Sequence, residues 1–452
     1  MGIFFETARH GRPAWGAWSA GILAAAALSC AQHGSAHAKS PRTEPATGGN
    51  TAVADPPPIS SARLAPGKRQ TKYTDHSRKL GLKPLPFEAI PGWAADDHLA
   101  ALRAFQASCP KIIARADAKK KPPPRLLVAA CEAAIQLPAR TGKAGARAFF
   151  ERYFLPHEVA HRGPPGLATG YYEPVIEGSR TATAKFTTPL YKRPPELVTL
   201  AGGVPRGALP ASFTHARMAG GALVPFATRG EIAGGALKDR GLELLYLADP
   251  VEVFFLQVQG SGRVRLTDGT EIRVHYDGKN GHPYSSIGRH LIDKGIVPAD
   301  KMSLAALAKW LRSDLARAAR IMALNKSYVF FRELPQGSEG PFGVLNVPLI
   351  PGRSLAVDPA YHTMGMPIFV SAPALKSVAK GKPFHRLMVA HDVGSAIKGP
   401  ERGDLYIGSG TRAGKVAGVI KHPASFIVLS PRMPGIETSS TKTSAATRQD
   451  RK

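Results

Sequence analysis

Residues 386–410, RLMVAHDVGSAIKGPERGDLYIGSG, decide how the chain is read. An apolar run, Leu387 to Ala390, ends in His391-Asp392. A loop with Gly394, Gly399, Pro400 and Gly403 follows, and a second carboxylate, Asp404, opens the strand-like run Leu405-Tyr406-Ile407. A third acid, Asp358 in RSLAVDPAYH, ends the preceding β-like run. Three aspartates at the ends of buried strands, with Lys398 and glycines close by, look like a reaction centre.

Strand patterns extend on both sides of this stretch. YVFFRE, GVLNVPLI, SLAVD, PIFVS, DLYIG and FIVLS flank it, each bounded by turn residues. Upstream, GLATGYYEPVIEGSR begins at Gly166 and is broken by Pro174 and Gly178. The β-like runs ALVPFATR, LELLYLAD, VEVFFLQVQGSG and VRLTDGTEIRVHY come next. In the last of these Asp268-Gly269 joins two alternating segments, a hairpin signal. Two helices are expected at Ser285 to Lys294 and Ser303 to about Leu324. Strands on both sides of a helical interruption suggest a mainly β fold, a β-barrel with an inserted second β-domain.

Ahead of Gly166 the period is helical. Leu99, Leu102, Phe105, Ile112 and Ile113 mark one segment; Leu126, Leu127, Ala130 and Ala133 mark another. A third carries Ala146, Phe149 and Tyr153 behind Thr141 as its expected N-cap.

The first 38 residues read as an export signal: Arg9 and Arg12, an apolar core around Ile22–Leu28, and the small-x-small site Ala36-His37-Ala38. Ala27-Leu28-Ser29-Cys30 also resembles a lipobox, so Cys30 is a candidate outer-membrane lipid anchor, and both routes lead to the periplasm. Cys109 and Cys131 then pair as a disulfide in an oxidising compartment, or remain two buried thiols. Residues 39–85 have the composition of a flexible tether and 436–452 that of a disordered tail. The charge of +27 favours polyanions. No nucleic-acid reader motif accompanies it, so nucleic acid is not expected as a partner.

GYYEP (Gly170 to Pro174), QVQGSG (Gln257 to Gly262), YDGKNGHPYSSIGRHLID (Tyr276 to Asp293), YVFFRE and HDVGSAIKGPERGDLYIGSG, in this order, resemble the membrane-bound lytic murein transglycosylase A family. The resemblance covers roughly Gly166 to Pro431. Asp358, Asp392 and Asp404 match the aspartates after which the family's C-terminal "3D" module is named. It implies a double-psi β-barrel from 156–173 and 328–435, with 174–327 as an inserted second β-barrel domain; the helical period ahead of it makes 86–155 a short helical preface. It also implies a lytic transglycosylase acting on peptidoglycan glycan strands without a cofactor, with cell-wall synthesis proteins as candidate partners. One departure is Ser395, where the family usually has a second glycine.

On that resemblance Asp404 is the catalytic acid, with Asp392 and Asp358 in support. Cleaving a β-1,4 glycosidic bond needs a proton for the leaving oxygen and stabilisation of positive charge at C1. One acid suffices if the C6 hydroxyl of N-acetylmuramic acid is the nucleophile and a 1,6-anhydro sugar forms. The alternatives are a hydrolase in which Asp392 activates water, and a non-catalytic peptidoglycan-binding module. Asp392 is expected to raise the pKa of Asp404, or else to cap its loop; Asp358, before Pro359, leans to a turn role. Gln257, Gln259, Gly260, Ser261 and Gly262 offer polar groups and close backbone access to sugar, or simply form a turn. Tyr171, Tyr172 and Tyr284 are stacking platforms or core. Asn280, His282 and Lys398 complete the candidate substrate set. His282 and His391 have no metal-ligand spacing, and no metal is expected.

Overall fold

The computed structural model describes residues 80–118, 122–161, 163, 165–200 and 206–434. The expected signal peptide, Cys30, almost all of the tether and the 436–452 tail lie outside them. Where the tether was expected to end, chain is already folded. Leu80 is buried, and strand β1 (Lys83–Pro84) pairs with residues 157–158.

Three helices come first: α1 (His98–Ile113), α2 (Arg125–Ile135) and α3 (Lys143–Tyr153). Asp97 caps α1 by accepting from the Ala100 N–H. Phe105 of α1, Phe149 and Phe150 of α3 and Phe154 beyond it stack at ring separations of 5.4–6.3 Å. Cys109 and Cys131 are bonded, Cα to Cα 5.0 Å, and tie α1 to α2. Thr141 is not the cap of α3. The cap is Gly142, without a side-chain bond, and the Thr141 hydroxyl donates back to the Pro138 carbonyl (2.6 Å).

The chain then enters β2 (Phe154–Glu158) and β3 (Leu167–Glu173), and at Pro174 leaves that sheet for another. Proline has no N–H to continue the ladder. The intervening segment holds β4 (Val175–Ser179), β5 (Thr188–Tyr191), β6 (Leu197–Thr199), β7 (His215–Ala219), β8 (Ala222–Val224), β9 (Glu243–Leu247), β10 (Ser261–Leu266), β11 (Glu271–Lys279) and β12 (Val329–Glu333). Its helices are α4 (Pro250–Gln259), α5 (Ile287–Asp293), α6 (Leu304–Arg312) and α7 (Leu315–Ala323). Six of its strands form one sheet, ordered β12-β11-β10-β4-β9-β5, and β6-β7-β8 form a smaller one. The Asp268-Gly269 hairpin joins β10 to β11, with Gly269 at φ +84°.

Four sequence readings change. VEVFFLQVQ forms α4 rather than a strand, started by Asp249 accepting from the Val251 N–H with Pro250 in the first turn, and stopped by Gly260 at φ +78°. The helix expected across 303–324 is two, because Ser313-Asp314 interrupts it and Asp314 caps the second half. GVLNVPLI forms a turn around Asn346 (φ 57°) with one bridge, Phe342 to Pro348. YVFFRE, assigned to the barrel, pairs as β12 with β11 of the inserted sheet.

The chain returns through β13 (Ser354–Val357), β14 (Pro367–Ala372), β15 (Phe384–Val393), β16 (Arg402–Ser409), α8 (Gly410–Ala417), β17 (Lys421–Pro423) and β18 (Ser425–Pro431). With β1, β2 and β3 these make a nine-stranded sheet ordered β1-β2-β18-β14-β15-β13-β16-β3-β17. The pairs β13·β15 and β16·β3 are parallel. Among the described residues no ladder joining the ends of this sheet, or of the six-stranded one, is found, and the fold is mainly β. Strands β13 and β14 are buried on both faces, as continuous apolar runs require. No described helix is long and apolar enough to cross a membrane.

Candidate active site

The centre of the nine-stranded sheet carries one cross-strand row. Ala356 on β13 is in register with Asp392 on β15 and with Asp404 on β16; Asp404 is in register with Thr169 on β3, and Thr169 with Lys421 on β17. Directly paired residues project to the same face. A β-bulge makes this alignment: the register against β15 slips between Leu355, opposite Ala390, and Ala356, opposite Asp392. His391 is the extra residue. It turns into the core, wholly buried, with Nδ1 2.8 Å from Ser354 Oγ, while Asp392 faces the opening. Burial pushes the His391 pKa down to about 4, so the ring is neutral.

Both carboxyls are partly exposed but walled by protein. Thr169 Oγ1 donates to Asp404 Oδ1 at 2.6 Å, and Tyr171, two residues along β3, donates its hydroxyl to Asp392 Oδ2 at 3.1 Å. Desolvation raises the Asp404 pKa, opposed by Thr169 and by the Arg402 charge. Asp392 is pushed up to about 6, first by desolvation and lastly by the Asp404 charge; Val393 N–H, the Tyr171 hydroxyl and Val344 N–H pull the other way. Burial is the first cause at both acids, and the repulsion between the two charges adds to the rise at Asp392. The Tyr171 phenol is pushed well above its usual range by burial and both acids.

Asp358 sits below the loop. Its Oδ1 accepts from Ala360 N–H (3.1 Å) and its Oδ2 from Gly399 N–H (3.0 Å), with Lys398 Nζ 3.7 Å from Oδ1. It ties the end of β13 to the loop between the other two aspartates.

The QVQGSG stretch divides. Gln259 Oε1 accepts from Tyr172 N–H (3.0 Å), joining α4 to β3 at the edge of the acid row. Gln257 is buried and its amide oxygen takes the Arg229 guanidinium, so it does not face a ligand. Gly260 is the left-handed helix stop. A Cβ on Gly262 would lie 2.4 Å from Leu256, so this glycine serves packing. Ser261 is buried on β10. Asn280 is fully buried and donates to the Ala227 and Lys326 carbonyls (both 2.8 Å) while accepting from Tyr328 N–H. His282 Nε2 meets the Phe226 carbonyl at 2.8 Å. These last two hold backbone rather than sugar. Tyr172 packs under Gly414 of α8, and Tyr284 is partly buried with its phenol pushed up by burial.

Several residues beside the site gave no signal in the sequence. Thr169 is an ordinary strand residue until the sheet pairs it with Asp404, and Arg402 stands two residues before that acid on β16. Glu173 is wholly buried between the two sheets, with Arg273 Nε at 2.6 Å, Arg263 Nε at 3.3 Å and Ser409 Oγ at 2.6 Å. Lys279 ends β11 and points its ammonium at Ser395 Oγ (3.3 Å). No three His, Cys, Asp or Glu side chains among the described residues gather as a metal site.

The model of the MltA specific insert domain matches residues 167–332, and that of the 3D domain matches residues 353–430. Membrane-bound lytic murein transglycosylase A of Escherichia coli K12 is 36% identical over 265 residues, 58% of this chain and 64% of that protein. The Vibrio cholerae protein of the same name is 35% identical over 260 residues, 57% of this chain and 63% of that one. The chain thus matches somewhat under two thirds of these curated relatives' length. Among solved structures, a membrane-bound lytic murein transglycosylase from Agrobacterium tumefaciens superposes with TM-score 0.71 at 36% identity, covering 78% of this chain and 98% of that one. E. coli MltA with bound chitohexaose gives 0.56 at 28% identity, covering 78% and 92%. Two family models in sequence order, and a solved relative covered almost end to end, establish that the chain belongs to the membrane-bound lytic murein transglycosylase A family.

Proposed function

We propose that this protein is a peptidoglycan lytic transglycosylase. It cleaves the β-1,4 bond between N-acetylmuramic acid and N-acetylglucosamine and leaves a 1,6-anhydromuramic end. The observation that carries the reading is the pair Asp392 and Asp404, in register on either side of Ala356 and both with elevated proton affinity. The hexasaccharide bound by the E. coli relative supports a glycan strand as ligand.

Asp404, its proton affinity raised by burial, donates to the departing glycosidic oxygen as the C1–O bond breaks. The resulting carboxylate then takes the proton of the C6 hydroxyl as that oxygen bonds to C1. No water is consumed, and Asp404 ends protonated again. Asp392, held by Tyr171 and by backbone N–H groups, places a second carboxyl beside the developing positive charge. Asp358 anchors the loop between them. Tyr172, Gln259 and Lys398 remain the candidate glycan contacts.

The nine-stranded sheet, with its two parallel pairs, is read as the double-psi β-barrel, and the segment from β4 to β12 as the inserted domain. The export signal places the protein in the periplasm, with Cys30 as a candidate outer-membrane anchor.

Mass spectrometry of purified sacculi digested by the wild type and by Asp404→Asn tests the activity. Anhydromuropeptides from the wild type alone are the expected result. Reducing-end muropeptides would make it a hydrolase; sacculi bound but uncut by both would make it a binding module.

A further inference from the structure

Lys279 is 8% exposed, and its ammonium has one hydrogen-bond partner among the described residues, Ser395 Oγ at 3.3 Å. No described carboxylate forms an ion pair with it. An ammonium carries three donors, and burying one without a counter-charge is costly. The β-bulge between Tyr276 and Gly278 re-aims the end of β11 and sends Lys279 towards the loop that joins Asp392 to Asp404. Its charged neighbours make matters worse. Lys398, on the same loop and 64% exposed, depresses the Lys279 pKa after burial itself has done so. His215, in the same field, is pushed down to about 4 by burial, Arg193 and Lys279, so its ring stays neutral. Asp358, on the far side of Lys398, accepts two backbone N–H groups and is already shared with that lysine. Two cations therefore meet at this loop, and one of them, Lys279, has no carboxylate partner among the described residues.

We propose that Lys279, with Lys398 at the rim, forms a subsite for a carboxylate borne by the glycan. This rests on the transglycosylase reading and deepens it. A neutral amino sugar offers this ammonium acceptors but no counter-charge, whereas a muramyl strand carries acid on its lactyl group or, when that is amidated, on its peptide stem. Ser395, whose hydroxyl takes one donor of Lys279, orients the ammonium and leaves two donors for the ligand.

The test is calorimetric binding to the uncleaving Asp404→Asn protein of three equal-length ligands. These are a chitooligosaccharide, a peptide-free glycan strand with free lactyl carboxylates, and the same strand bearing stems. The parent should bind at least one acidic strand more tightly than the neutral one. Adding Lys279→Met should cut that preference about tenfold or more, the scale of one charge-assisted hydrogen bond; Lys279→Arg should restore part of it. Lys398→Met, a change at an exposed side chain, should lower the preference by a smaller factor whether or not Lys279→Met folds. Which acidic strand loses affinity tells lactyl from stem carboxylate. A preference unchanged in both methionine variants, or equal weakening towards all three ligands, would overturn the subsite. Binding of the neutral sugar without any preference in the parent would sink the subsite alone. Binding of none of the three would sink the glycan reading with it.

Discussion

Asp392 and Asp404 stand opposite each other across one residue, Ala356, two strand spacings apart and on one face of the sheet. At ~4.8 Å per strand their backbones are about 10 Å apart, with only the small side chain of Ala356 in register between them. Tyr171 reaches over this gap from β3, bonding Asp392 while its ring lies 5.3 Å from that of Tyr406. The bulge at His391 is what sets Asp392 opposite Ala356, so the spacing of the acids is a property of sheet register. Replacing Ala356 with Leu should fill the gap. We expect glycan cleavage to fall at least a hundredfold with the fold retained, as judged by circular dichroism.

Thr169 sets the proton affinity of Asp404. Its hydroxyl donates to the carboxylate and so favours the charged form. Thr169→Val should therefore raise the Asp404 pKa further and carry the alkaline limb of the pH profile of kcat/KM upward by about half a unit to one unit. A limb that stays in place, or moves down, would show that Asp404 is not the group titrating there.

Asp392 should cost stability at neutral pH. Its folded pKa of about 6 lies above the value of about 3.9 expected in the unfolded chain. The folded state therefore holds this proton more tightly. That contribution is complete below about pH 4 and is lost as pH rises through about 6. Asp392→Asn escapes the loss, so the variant and wild type should be equally stable near pH 4. By pH 7 the variant should be more stable by roughly 1–2 kcal/mol, allowing for solvent screening. Urea titrations at both pH values measure the difference.

The two acids were legible because each ends or opens an apolar run, and a sheet fixes what its strands end in. Their partners were not. Thr169 lies 235 residues before Asp404, and only parallel pairing of β3 with β16 brings them together. Lys279 reads as an ordinary strand residue until the bulge turns it. The misreading of α4 has a local cause: Val251-Glu252-Val253 alternates like a strand. Yet Asp249-Pro250 and Gly260 were helix punctuation in plain view, and they outweighed the short alternation. Gln257 then fell on the buried face of that helix, which its place in a supposed turn concealed.

The disulfide between Cys109 and Cys131 closes a loop of 22 residues between α1 and α2. Loop closure of that length is worth about 3 kcal/mol through the unfolded chain. Mature protein melted with and without reductant should lose several degrees on reduction, and Cys109→Ala/Cys131→Ala should reproduce the loss without reductant. An unchanged melting temperature would mean that the helices hold each other without the bond.

Gln257 is best understood through Arg229. That guanidinium is 7% exposed and rests among the carbonyls of Asn325 (3.1 Å) and Ser327 (2.6 Å) and the amide oxygen of Gln257, with Phe254 and Tyr328 against its faces. Burial lowers its pKa to about 10, still charged at neutral pH. Gln257→Leu removes one acceptor from a buried cation and should destabilise the fold by about 2–3 kcal/mol. Arg229→Met on its own leaves Gln257 without its donor and should also cost stability. The double variant Arg229→Met/Gln257→Leu removes both polar groups together and should recover much of the loss, giving a coupling of at least 1 kcal/mol in a double-mutant cycle. Additive losses would mean that Gln257 acts elsewhere, and a raised KM for glycan in the folded single variant would return it to the substrate face.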